Sequence, residues 1–208
     1  MANIRVIQSP YVGPFANIEA VAEASTGSGI GIHLGELGGR VELTQTGSGT
    51  KEYQKVQLDS GCVAASPAGA PTTGELVYWK LVGAGGATGK SKYLVTNDSS
   101  QAVGGSTTHG WRNEVAGVLV TPQATLTSNL GLAPFIWIQQ KGNCATVKIA
   151  SGSPNPGDQL QSDTSATAAQ GVIAAANTQT TVQALGKFTT AAVTVTTAPV
   201  DLDIPGIP

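Results

Sequence analysis

The stretch closest to a chemical motif is Ala84-Gly85-Gly86-Ala87-Thr88-Gly89-Lys90-Ser91. With alanine replacing its first glycine, it fits a relaxed phosphate-binding loop ending in Gly-Lys-Ser. That chemistry needs a helix directly after the loop, because loop amides and the helix N-terminus hold the phosphate together. Lys92-Tyr93-Leu94-Val95-Thr96 follows instead, and these residues favour a strand. The run therefore reads as a glycine-rich hairpin loop. His33 and His109 are the two histidines, and neither sits at metal-ligand spacing from the other or from Cys62 or Cys144. His109-Gly110-Trp111-Arg112-Asn113-Glu114 gathers polar groups in one loop. A cysteine and a histidine can serve as nucleophile and base. Cys144, however, has no helix N-terminus beside it to lower its pKa. The acids Glu19, Glu23, Glu36, Glu42, Asp158, Asp201 and Asp203 are scattered, and no two are paired by spacing. Asn97-Asp98-Ser99 is a glycosylation sequon that reads as a plain loop. Trp79, Trp111 and Trp137 are candidates for a sugar platform or for core and interface anchors, the commoner use. No catalytic, cofactor or metal residue is assigned, and the chain is read as a non-enzyme.

The elements that would carry these residues are strands. Gly142-Asn143 lies between Phe135-Ile136-Trp137-Ile138-Gln139-Gln140 and Ala145-Thr146-Val147-Lys148-Ile149-Ala150. A two-residue turn there predicts a hairpin over residues 134–150. In that register Ile136 faces Ile149, Ile138 faces Val147, and Lys148 can lie along the Trp137 ring. Further strands are expected at Glu75–Val82, Ser91–Thr96, Glu114–Thr121, Asp158–Leu160, Gly171–Ala176, Thr181–Leu185 and Ala192–Thr196. Short β pieces are expected at Ile4–Gln8, Gly29–Leu34 and Arg40–Thr44, with a helix beginning at Pro14. The tail from Ala198 to Pro208 is expected to be extended but too proline-rich for a central strand. These pieces predict an all-β fold: a small sandwich or barrel of short antiparallel strands with an extended N-terminal arm. The boundary is expected near residue 72, with an irregular arm over 1–72 and a β-rich core with its extended tail over 73–208.

Charged residues make up 12% of the chain, against about 25% in ordinary soluble proteins. Glycine contributes 27 of 208 residues and the net charge is −2. Low charge with many small polar side chains suits a protein packed against other subunits. The 11 lysines and arginines form no cluster, which argues against nucleic acid as a direct partner. No apolar run approaches the roughly 20 residues of a membrane span, and the N-terminus lacks a signal-peptide pattern. Synthesis in the cytoplasm is expected, with Cys62 and Cys144 read as reduced thiols rather than a disulfide.

The segment from Gly74 to Gln183 resembles small structural proteins of tailed-phage virions, capsid decoration (cement) proteins above all. The resemblance lies in an ordered series. It runs through Gly74-Glu75-Leu76-Val77-Tyr78-Trp79-Lys80, Tyr93-Leu94-Val95-Thr96-Asn97-Asp98 and Asn113-Glu114-Val115-Ala116-Gly117-Val118-Leu119. It continues with Phe135-Ile136-Trp137-Ile138-Gln139-Gln140, Ala145-Thr146-Val147-Lys148, Gly157-Asp158-Gln159-Leu160 and Gly171-Val172-Ile173. About half the chain is covered, and the motifs are of fold rather than catalysis. The resemblance implies a protein on the outside of the capsid, bound to the major capsid protein as a homotrimer, without cofactors and without nucleic-acid or membrane contact. Residues 1–72 exceed what a minimal decoration protein needs, which keeps open a tail or head-fibre component that binds a host receptor or glycan. The residues expected to contact a partner are Ile4, Val6, Tyr11, Phe15 and Trp111.

Overall fold

The computed structural model describes residues 3–8, 40–45, 49–59, 71–82, 89–97, 115–120, 135–149, 153–162, 171–173, 184–191 and 196–204. All regular structure among them is β, with no helix, so the fold is all-β. The strands are β1 (Asn3–Gln8), β2 (Arg40–Gln45), β3 (Gly49–Leu58), β4 (Leu76–Val82), β5 (Gly89–Thr96) and β6 (Val115–Leu119). They continue with β7 (Phe135–Lys148), β8 (Gln159–Ser162), β9 (Gly171–Ile173), β10 (Gly186–Phe188) and β11 (Thr197–Asp203). The expected helix at Pro14 and strand at Gly29–Leu34 lie outside the described residues, as does nearly all of Ala192–Thr196.

The strands form one mixed sheet in the order β1-β2-β3-β5-β4-β6-β7-β11-β10-β8-β9, and β3 also pairs with β7. That extra pairing closes β3, β5, β4, β6 and β7 into a five-stranded ring. An odd ring cannot alternate direction all the way round, so at least one neighbouring pair must run parallel. That pair is β3 with β5, at Gln57↔Leu94 and Leu58↔Val95. Every strand of the ring sends side chains into one buried cluster: Val56 and Leu58, Val77 and Trp79, Val95, Ala116 and Leu119, Ile136 and Ile138. The interior of the ring is thus a filled core, as small barrels require. Losing the Trp79 side chain there would cost about 3–5 kcal/mol.

A second core lies against the outside of the ring. Leu76 and Tyr78 of β4 and Val115 and Val118 of β6 face away from the barrel interior. They pack with Cys144, Val147 and Ile149, with Phe188, and with Ala198, Val200 and Leu202 of β11. Strand alternation explains the division: successive side chains on β4 serve opposite layers. The result is a barrel with a flanking sheet of β7, β11, β10, β8 and β9.

The expected hairpin at 134–150 does not form. Residues 135–148 are one continuous strand of 14 residues. Its first half is a barrel wall, paired with β3 from Gln57↔Phe135 to Glu52↔Lys141. Its second half pairs with β11, from Asp203↔Lys141 to Thr197↔Lys148. Ile136 and Ile138 therefore enter the barrel, whereas Val147 and Ile149 enter the outer core. Gly142 does adopt positive φ, +80°, but within a strand. A side chain there would collide with the Thr50 carbonyl oxygen, so glycine permits β3 to pass closely rather than β7 to reverse. Two bulges in β7 flank that point. One falls at Gln140 against β3, and one at Ala145–Thr146 against β11, where both side chains are exposed. Each extra residue shifts the alternation, which is how one strand serves both cores. Lys148 binds Thr72 and Glu75 rather than lying along Trp137.

Two further expectations are corrected. The tail is a central strand: β11 pairs with β7 on one side and β10 on the other. Pro199 is tolerated because it sits at the bulge between Ala198 and Val200, where the ladder is interrupted. Its carbonyl still accepts the Thr189 N–H at 3.1 Å. The strands are also neither uniformly short nor uniformly antiparallel, since β3 has 10 residues and β7 has 14. Residues 49–58 carry no strand in the sequence reading, yet β3 is a barrel wall. Leu185 is buried but lies just before β10, outside any strand.

Candidate partner-contact surface

Ile4 and Val6 lie in β1, the terminal strand of the sheet order. β1 pairs antiparallel with β2, placing Ile4 opposite Leu43 and Val6 opposite Val41. The β-branched residues Ile4, Val6 and Ile7 favour such a strand. Tyr11, Phe15 and Trp111 lie outside the described residues, so the five expected contacts are not brought together in the described part. β2 pairs in turn with β3 through six successive positions, from Arg40↔Gln54 to Gln45↔Gly49. The β1–β2 pair therefore extends the free edge of β3 beyond the barrel.

One row of this sheet is charged from strand to strand. Arg5 is registered with Glu42, Glu42 with Glu52, Glu52 with Lys141, and Lys141 with Asp203. Directly opposite residues share a face, so Glu42 and Glu52 form a like-charge pair in need of cations. Glu52 is buried and meets two: Arg40 from β2, and Lys141 from β7 at 3.8 Å. One carboxylate thus ties the β1–β2 pair to the barrel. Burial lowers the Arg40 pKa below its ordinary value, because charge is harder to hold away from water. Sequence reading gave Arg40, Glu52 and Lys141 no role in a candidate site. The usable signal was alternation in Lys51-Glu52-Tyr53-Gln54-Lys55-Val56-Gln57-Leu58, hidden by charges at positions that are buried.

Polar contacts elsewhere close seams. Lys80 pairs with Asp59, joining β4 to the end of β3. Lys55 lies 5.5 Å from the Phe135 ring centroid, a cation–π contact between neighbouring strands. Gln139 donates to the carbonyls of Lys141 and Gly142, at 3.0 Å each. A small cleft of about 180 Å³ opens where β3, β6 and β7 meet, lined by Lys51, Thr73, Gln139, Cys144 and Thr146 among others.

The other sequence candidates fall as follows. Gly89, Lys90 and Ser91 are in β5, so no helix follows the glycine-rich run, and β4 and β5 form the expected antiparallel pair around it. Asn97 of the sequon is fully buried, so this fold leaves no room for a glycan on it. Trp79 and Trp137 are buried, at 1% and 2% exposure, and so are core residues rather than a sugar platform. Cys144 is a buried member of the outer core. His33, His109 and Cys62 lie outside the described residues. Among the described residues, no group of three or more His, Cys, Asp or Glu is placed to hold a metal ion.

No protein-family model matches this sequence, and no curated protein matches it significantly.

Proposed function

We propose that this chain is a non-enzymatic structural protein of a tailed-phage virion. In this reading it is a decoration protein, made in the host cytoplasm, that binds the major capsid protein on the outside of the shell as a homotrimer. The observation that carries the reading is the position of β1 at the end of the sheet that the eleven described strands form, anchored in a doubly packed β core. A terminal strand of this kind engages neighbours by backbone pairing, which supplies many hydrogen bonds without an active site. A closed barrel with a flanking layer provides the rigid base against which such contacts can bear load. The low charge and the ordered series of segments from Gly74 to Gln183 support the same reading.

The test is to mix purified protein with phage particles lacking it and image them by cryo-electron microscopy. Density at three-fold or quasi-three-fold positions of the shell is the expected outcome. Density on the tail would transfer the chain to the receptor- or glycan-binding reading, to be tested next with Trp111→Ala in a binding assay. Absence from the particle would end both.

A further inference from the structure

We draw no further inference here: the strongest candidate, the cleft of about 180 Å³ where β3, β6 and β7 meet, carries nothing, because Lys51, Thr73, Gln139 and Cys144 of its lining already hold interactions within the fold and nothing in the structure shows what would occupy it.

Discussion

Gln140 of β7 donates its side-chain amide to Gln54 Oε1 of β3 at 2.9 Å, and both residues are buried. The same amide nitrogen reaches the Ala116 carbonyl of β6 at 3.0 Å. One side chain thus stitches three consecutive members of the ring at the point where β7 bulges. Gln54 continues the alternation of Val56 and Leu58, so this contact lies at the end of the barrel interior and finishes an apolar core with a polar one. Gln140→Leu removes the donor and leaves the Gln54 amide oxygen and the Ala116 carbonyl buried. The expected loss is about 1–3 kcal/mol, seen as a lower midpoint of urea unfolding. Gln54→Leu/Gln140→Leu should recover part of it, because both polar side chains then leave together. Strictly additive losses would show that the two glutamines do not interact.

Gly142 supplies a second expectation. Its positive φ and the close passage of Thr50 exclude a side chain, so Gly142→Ala should cost about 2–4 kcal/mol by thermal or chemical unfolding. Asn143→Ala, at the adjoining half-buried position, should cost under ~1 kcal/mol. Were residues 142 and 143 a two-residue turn, replacing either would disturb the same reversal, and comparable losses would contradict the continuous strand.

That same glycine shows where sequence reading stopped. Gly-Asn between two β-formers reports a local need for positive φ, and the need is real. Whether the chain reverses there or carries on depends on β3 and β11 arriving from far away in sequence, and no local pattern records that. β4, β5 and β6 were legible because Leu76-Val77-Tyr78-Trp79, Tyr93-Leu94-Val95-Thr96 and Val115–Leu119 are dense in β-formers, and all of these residues are buried except the half-buried Tyr93 and Leu94. β3 was not, because Glu52, Gln54 and Lys55 are polar residues whose burial depends on partners in other strands. Pro199 hid β11 in the same way, since the bulge that accommodates it is a property of the pairing. At the candidate surface, the β character of Ile4 and Val6 could be read directly. Their pairing with β2, and the charged row running through Glu52, required the register.

Glu52 is the joint between the terminal strands and the barrel. Glu52→Gln would leave Arg40, already short of water, without its counter-charge, and would free Lys141 as well. The pair is only partly screened from solvent, which tempers the loss to about 1–3 kcal/mol. Hydrogen exchange should locate it, with faster exchange in residues 3–8 and 40–45 and little change at Ile136 or Val77. Lys141→Met, which removes the more exposed cation, should cost under ~1 kcal/mol. Equal acceleration across all strands after Glu52→Gln would show that this carboxylate supports the whole core and not the junction.

The C-terminal strand gives the sharpest contrast between an appended tail and an integral element. Ala198, Val200, Leu202 and Ile204 are each 3% exposed or less, and all belong to the outer core. β11 also supplies hydrogen bonds at both its edges and through Ile204 N–H to the Gln140 carbonyl at 2.9 Å. Truncation after Thr196 would therefore uncover the β7 edge from Lys141 to Lys148 and strip four apolar side chains from one face. At about 1–3 kcal/mol for each larger side chain, the loss rivals the 5–15 kcal/mol by which whole domains are stable. The truncated chain should be insoluble, or should unfold without a cooperative transition. Adding back a peptide of residues 197–208 should restore a cooperative melt if the rest of the barrel survives. A truncated protein with an unchanged melting temperature would mean that β11 does not hold this place in the sheet.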